Sequence, residues 1–272
     1  MEPAHPPVSH SAFWDGRYAG GQDGWDLGEA SPALVDWLDA GGRIASAFSG
    51  HPSSSSELFI CGGPEMAPAL PQLRTTVFPQ PQATVSPPPR TTVSSTALYA
   101  PRVAVPGAGR GHDARLLVRR GYRVTAFDFS EAAVAEARRL AAAEAVELTV
   151  EPRDVFTLPR DHAGAFDGVW EYTCFCAIDP ARRDEYASVL HAILRPGGVL
   201  LACFFPLRDG TDGPPFPVSR EEIERVLAGR FTVLEAGPPP RSVERRAGLE
   251  WLVRARREPA TPGIRPRDGS EH

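Results

Sequence analysis

Beyond residue 100, apolar positions fall into short runs of strand length, separated by stretches in which they return every three or four residues. Runs at 102–105, 123–127, 147–150, 166–170, 199–205, 231–235 and 249–254 predict strands, and the longer periodic stretches at 112–120, 131–143, 183–194 and 220–227 predict helices. Alternation of this kind builds right-handed βαβ units. It predicts an α/β fold with a mostly parallel seven-stranded sheet and helices on both faces. Ahead of that pattern, Ser31-Pro32-Ala33 reads as an N-cap with Pro at the first helical position, followed by an apolar face of Leu34, Val35 and Leu38. That short helix is expected to stop at Gly41-Gly42.

Between the two patterned regions the periodicity is lost. Residues 43–100 carry Ser53 to Ser56, Pro87 to Pro89 and many Thr, a composition that cannot bury enough apolar surface to offset chain entropy. The expected organisation is therefore an N-terminal segment (1–42), a disordered Pro/Ser/Thr-rich insertion (43–100), a core (101–257) and a disordered tail (258–272). A structureless stretch longer than about 15 residues is unusual inside a compact domain, so the block reads as a functional insertion, a linker or retained non-coding sequence.

Composition narrows the chemistry. A net charge of -5 without a basic run lacks the clustered positive footprint of a nucleic-acid binder. There is no Lys in the chain, which excludes Schiff-base catalysis and a Walker-type phosphate loop. Cys61, Cys174, Cys176 and Cys203 follow neither a zinc spacing nor a secreted disulfide framework. With no apolar leader at the N-terminus and no run of about 18 apolar residues, a cytoplasmic monomer that does not enter membranes is expected.

The first predicted strand runs into Pro106-Gly107-Ala108-Gly109-Arg110-Gly111-His112-Asp113, and glycines there let the backbone approach a ligand at a helix N-terminus. The spacing is G-x-G-x-G. A dinucleotide fingerprint needs G-x-G-x-x-G, and His112 occupies its last position. Asp128 ends the second strand, where a carboxylate's two oxygens suit the two hydroxyls of a ribose, while Ser130 is placed to cap the helix from Glu131. Asp154-Val155 follows the third strand and offers a carboxylate and a backbone N–H to a base edge. Glu171-Tyr172 is expected just past the fourth strand, at the end of the sheet where open α/β folds place their sites. Cys174 and Cys176 read as buried, inert thiols. His112 and His191 show no partner, and Arg241, Arg245 and Arg246 read as a solvated basic face ahead of the alternative, a contact for an anionic substrate.

Several ordered motifs resemble one family. Phe13-Trp14-Asp15-Gly16-Arg17-Tyr18, Gly24-Trp25-Asp26-Leu27-Gly28, the glycine turn, residues 170–180, Arg195-Pro196-Gly197-Gly198 and Gly213-Pro214-Pro215-Phe216-Pro217-Val218 are similar to segments of the thiol, halide and thiopurine methyltransferases. The resemblance implies a Rossmann-like class I methyltransferase fold and S-adenosylmethionine as cofactor. It implies Trp14, Tyr18 and Trp25 closing over the cofactor, Gly107 beneath its amino-acid end, Asp128 on the ribose, Asp154 and Val155 at the adenine, and Tyr172 near the transferred methyl. The implied partner is a small thiol, sulfide or halide, with thiopurine as a further acceptor. Val105 stands where generic enzymes of this cofactor place an acid, a departure that relatives in the family share. Two rivals remain at the sequence level: a nicotinamide-linked oxidoreductase, which the glycine spacing disfavours, and a non-catalytic S-adenosylmethionine-binding protein whose insertion disrupts the acceptor site.

Overall fold

The computed structural model describes residues 7–44 and 100–258. Except for residues 43, 44 and 100, the expected insertion lies outside the described residues, as do Cys61 and all of the expected tail but Glu258. The elements in chain order are α1 (Ser11–Ala19), α2 (Pro32–Asp39), β1 (Arg102–Pro106), α3 (His112–Arg119), β2 (Arg123–Asp128), α4 (Glu131–Ala143), β3 (Thr149–Pro152), α5 (Pro159–His162), β4 (Phe166–Tyr172), α6 (Arg183–Ile193), β5 (Leu194–Phe204), α7 (Arg220–Leu227), β6 (Phe231–Gly237) and β7 (Trp251–Arg257).

All seven strands join one sheet in the order β3-β2-β1-β4-β5-β7-β6. Pairing is parallel from β3 to β5, and β7 runs antiparallel between β5 and β6. The sheet is seven-stranded, mostly parallel and covered by helices on both faces, as the alternation predicted. In β1 and β4 nearly every residue is buried, because strands covered on both faces need continuous apolar runs rather than alternation. One face packs Tyr186, Leu190 and Ile193 of α6 with Ile223 and Val226 of α7. The other packs Leu34 and Leu38 of α2, Leu117 of α3 and Val134 of α4 against Val103, Trp170 and Leu201.

Helix starts follow local chemistry. Ser130 Oγ accepts from Ala133 N at 3.2 Å to cap α4, and Ser219 Oγ accepts from Glu222 N at 3.1 Å to cap α7. Ser31 holds the N-cap position of α2 as expected, yet its hydroxyl makes no capping bond. Instead Ser31 N donates to Asp113 Oδ1 at 2.6 Å, while Trp170 Nε1 donates to Asp113 Oδ2 at 2.7 Å. One carboxylate thus ties the starts of α2 and α3 to β4.

Several boundaries differ from the expectation, among them the start of β5, which begins at Leu194 rather than at 199. β4 extends to Tyr172, so Glu171 and Tyr172 belong to the strand, where parallel pairing with Ala202 and Cys203 holds them. Helix α1 was not foreseen, because it is only nine residues long and none of them enters the buried core. The packed region also reaches past residue 42: Ile44 is fully buried, lying across Gly168 of β4.

A Cβ at Gly168 would stand 2.7 Å from both Ile44 Cγ2 and the Ile44 carbonyl. Gly168→Ala is therefore expected to cost about 1 to 3 kcal/mol through overpacking, read as a lowered midpoint in chemical denaturation; an unchanged midpoint would show that residue 44 yields freely.

Candidate functional site

A cavity of about 500 Å³ lies at the C-terminal ends of β1, β2 and β4. Strand order reverses between β1 and β4, the switch point where open α/β sheets place their ligand crevices. All eight residues singled out from the sequence line this cavity: Trp14, Tyr18, Trp25, Gly107, Asp128, Asp154, Val155 and Tyr172.

The glycine turn forms one wall. Gly107, Gly109 and Gly111 have φ of +59°, +54° and +70°, the left-handed region that favours glycine. At Gly107 a Cβ would also stand 2.6 Å from Cys174 Sγ. Asp128 ends β2 opposite this turn, its Oδ2 accepting from Gly109 N at 2.8 Å and its Oδ1 from Ser130 N at 2.9 Å. Burial pushes its carboxyl above the ordinary value, and the Ser130 and Gly109 N–H bonds pull the other way. The residue remains 8% exposed and lines the cavity. Further along the wall, Asp154 Oδ1 accepts from Phe156 N at 2.9 Å, and the Arg182 guanidinium stacks 3.4 Å from the Phe156 ring centre.

The N-terminal segment is held to the site by polar contacts. Asp15 Oδ1 accepts from Ser130 Oγ at 2.6 Å, and Arg110 pairs with Asp23 at 2.5 Å and with Asp26 at 2.8 Å. His112 has partners after all: its Nε2 lies 3.2 Å from Asp26 Oδ1 and its Nδ1 lies 2.9 Å from Arg115 Nη2. These partners come from segments distant in sequence or one helical turn on, which periodicity does not reveal. Trp25 meets Trp14 and Tyr18 edge to face at centroid separations of 5.4 and 5.5 Å. Burial, then the charge of Asp128, pushes the Tyr18 phenol up, so it stays neutral.

On the opposite side, Tyr172 OH donates to Glu250 Oε1 and accepts from Arg246 Nη1, both at 2.6 Å. Arg246 also donates to Trp25 O at 2.7 Å, and its guanidinium lies 4.7 Å from the Phe205 ring centre. Reading Arg241, Arg245 and Arg246 together as a solvated face needs correction. Arg246 is 2% exposed and lines the cavity, and Arg245 lines it too, whereas Arg241 pairs with Asp36 on the surface. The sequence signal that was available is Glu250, four residues beyond Arg246, an acid able to neutralise a buried guanidinium. Glu171 faces the other side of the sheet from Tyr172, and burial, opposed by N–H bonds from Phe175 and Cys174, raises its carboxyl to about 7. Burial also pushes the Cys174 thiol up and the Cys176 thiol to about 12, in keeping with inert cysteines.

Comparison with known proteins decides the family. The model described as Thiopurine S-methyltransferase (TPMT) matches residues 74–257, more than half of the chain. The chain belongs to the thiopurine S-methyltransferase family. It is thereby a methyltransferase dependent on S-adenosylmethionine. The matched span starts within the Pro/Ser/Thr-rich block and does not include α1 and α2, so the family model leaves the N-terminal motifs to the geometry. Thiocyanate methyltransferase 1 of Arabidopsis thaliana is 31% identical over 163 residues, covering 59% of this chain and 71% of that protein. Thiopurine S-methyltransferase of Canis lupus familiaris is 28% identical over 150 residues, covering 46% and 59%. Among solved structures, the Burkholderia thailandensis 1,6-didemethyltoxoflavin-N1-methyltransferase superposes with a TM-score of 0.59 at 21% identity, covering 95% of this chain and 93% of that one. That likeness establishes the class I methyltransferase fold. No described helix is long and apolar enough to cross a membrane.

Asp26 joins the N-terminal segment of this family member to its glycine turn, and its titration tests that junction. Burial would raise its carboxyl, but the contacts with His112 and Gly28 N and the charges of His112 and Arg110 outweigh it and hold the group at about 2. A depressed folded-state value contributes stability above the unfolded value of 3.8, lost as pH falls toward 2. The expected contribution is about 1 to 2 kcal/mol. Tryptophan fluorescence should therefore report a local transition between pH 4 and 2 that Asp26→Asn abolishes; the same transition in both proteins would assign it elsewhere.

Proposed function

We propose that this methyltransferase transfers a methyl group to a small soft nucleophile, a thiol or sulfide before a halide or thiopurine. The observation that carries the reading is the cavity wall itself. A glycine turn and the Asp128 carboxylate face a box of Trp14, Tyr18 and Trp25 across a compact space closed on the far side by Tyr172 and Arg246. Similarity to thiocyanate and thiol methyltransferases supports the acceptor class.

The residues fit the methyl donor. The Asp128 carboxylate lines the cavity as an acceptor for a ribose hydroxyl, and Gly107 makes the left-handed turn that brings the backbone to the cavity wall. Asp154 and Val155 border the space for the adenine. The aromatic box suits a sulfonium, because ring faces attract a desolvated cation. When bound, S-adenosylmethionine supplies a methyl activated by its positively charged sulfur. The protein's part is to hold the nucleophile in line with that carbon, about 3 Å away, and to exclude water. One bond forms to the acceptor sulfur as the bond to the sulfonium breaks, and the bonding pair stays with the departing neutral sulfide.

No proton has to be taken by the wall in this scheme. Tyr172 positions the acceptor; burial, together with the Glu250 charge, pushes its phenol up despite the Arg246 charge, so it does not act as a base. The thiol proton leaves to solvent before attack.

Loss of Asp128 is the direct test of the cofactor's place. Asp128→Ala is expected to remove a charged hydrogen-bonded contact worth about 1.5 to 3 kcal/mol, weakening S-adenosylmethionine binding at least tenfold in a protein that stays folded. Calorimetry showing wild-type affinity would take Asp128 out of the site.

The acceptor is tested by two pH profiles on one preparation at fixed ionic strength. With a thiol the rate should climb along that thiol's own ionisation and level off, while with iodide, which has no proton to lose, it should stay nearly flat. An inflection near pH 7 shared by both acceptors would implicate a titrating protein group instead, and Glu171, raised to about 7, would be the first to examine.

A further inference from the structure

One carboxylate in the cavity wall has no cation paired with it. Of the acids that line the cavity, Asp26 pairs with Arg110 at 2.8 Å, while Asp154 and Asp179 each accept from a backbone N–H at 2.9 Å and so cap a short helical turn. Asp128 is bonded to the glycine turn, and Glu29 is exposed. Asp113 lines the same wall and is only half-buried, so part of it stays open. Its two bonds both come from neutral donors, Ser31 N at 2.6 Å and Trp170 Nε1 at 2.7 Å. Among the described residues it forms no ion pair, and His112 beside it turns to Asp26 and Arg115.

A second group waits in the same corner. Ser31 is 1% exposed and lines the cavity, and its Oγ has no partner in hydrogen-bonding geometry. A polar atom left in that state costs free energy until something bonds to it. The bond from Ser31 N to Asp113 sets the hydroxyl beside the carboxylate.

The sheet says which part of a ligand reaches this corner. Asp154 follows β3, Asp128 ends β2, and Asp113 follows β1 and holds Trp170 of β4, so the three acids succeed one another in the strand order β3-β2-β1-β4. With the adenine at Asp154 and the ribose at Asp128, the next part of the methyl donor is its amino-acid end. Val105 in β1 is apolar and belongs to the same buried cluster as Trp170, so the strand itself brings no charge there.

We propose that Asp113, together with the Ser31 hydroxyl, holds the α-ammonium of the donor's amino-acid end. The assignment rests on the placement of the donor with its ribose at Asp128. An ammonium carries a positive charge and three N–H donors, which a carboxylate and a hydroxyl oxygen accept. It supplies Asp113 with the counter-charge that the chain does not.

The probes are S-adenosylhomocysteine and its deaminated analogue, in which hydrogen replaces the amino group and the carboxylate is kept. By calorimetry, wild-type protein is expected to prefer the amine-bearing ligand about tenfold or more, the size of one charge-assisted hydrogen bond. In Asp113→Asn the preference should fall to about threefold or less, with little change in affinity for the analogue. A carboxylate that served only to tie Ser31 and Trp170 together would weaken both ligands alike and leave their ratio as it was. Ser31→Ala should lower the preference about threefold, and it carries the test if Asp113→Asn does not fold.

Equal binding of the two ligands by the wild type, a preference unchanged in the variants, or a loss of preference in Glu29→Gln instead would each overturn the ammonium site. Asp128→Ala should weaken both ligands alike. If it weakens neither, the placement of the donor fails, and the role of Asp113 with it.

Discussion

A guanidinium buried to 2% exposure has to find inside the protein what water would have given it, and Arg246 does so by drawing four separate stretches of chain together. Trp25 of the N-terminal segment offers its carbonyl, Tyr172 at the end of β4 its hydroxyl oxygen, Phe205 after β5 a ring face, and Glu250 before β7 the opposite charge. None of these groups is near another in sequence. Meeting the needs of one cation therefore sets the geometry of the Tyr172 side of the cavity, and it links that side to the aromatic box through the Trp25 backbone. Removing any one partner would leave a buried charge or a buried acceptor unpaired, which is why such networks hold together or fail together.

The two sides of the cavity are held by different physics. The sheet and its covering helices are fixed by continuous apolar faces, with Trp170, Phe127 and Tyr186 among the fully buried side chains. Helix α1 buries none of its residues and is secured by Asp15 on the start of α4, while the loop after it is secured by Asp23 and Asp26 on Arg110. Contacts of that kind are individually weak and screened by salt, so the segment can part from the core at far lower free energy than any strand. Under the proposed function, this separation suits a methyl donor that enters and leaves beneath the aromatic rings. The core need not loosen for the cover to open.

What the sequence made legible follows from where information is local. Strands β1, β2 and β4 and helices α4 and α7 are written in runs and caps a few residues long, and the periodicity recovered them within a residue or two. Gly107 and Asp128 were equally legible, because a turn that only glycine can make and an acid ending the next strand are local signals. Arg246 and Glu250 were not. Each looks like an ordinary charged residue until the fold buries the pair, and burial depends on Trp25 and Phe205, far away in the chain. Helix α1 escaped for a related reason, since its aromatic side chains Trp14 and Tyr18 line the cavity instead of joining the core.

The cavity's own cysteines bear on the chemistry proposed for it. Cys174 and Cys176 line the space in which an outside thiol would be methylated, and a thiolate of the protein there would compete with the acceptor. Only the ionised form is nucleophilic. Burial, reinforced by the nearby Glu171 charge, keeps both thiols protonated, Cys176 to about 12, while a small thiol arriving from water ionises at its ordinary value. The difference in environment does the work that a general base does in other active sites. A wall built from neutral thiols, a neutral phenol and a paired guanidinium can then orient a reactive anion without reacting with it, and the free energy of the transfer comes from the donor's sulfonium alone.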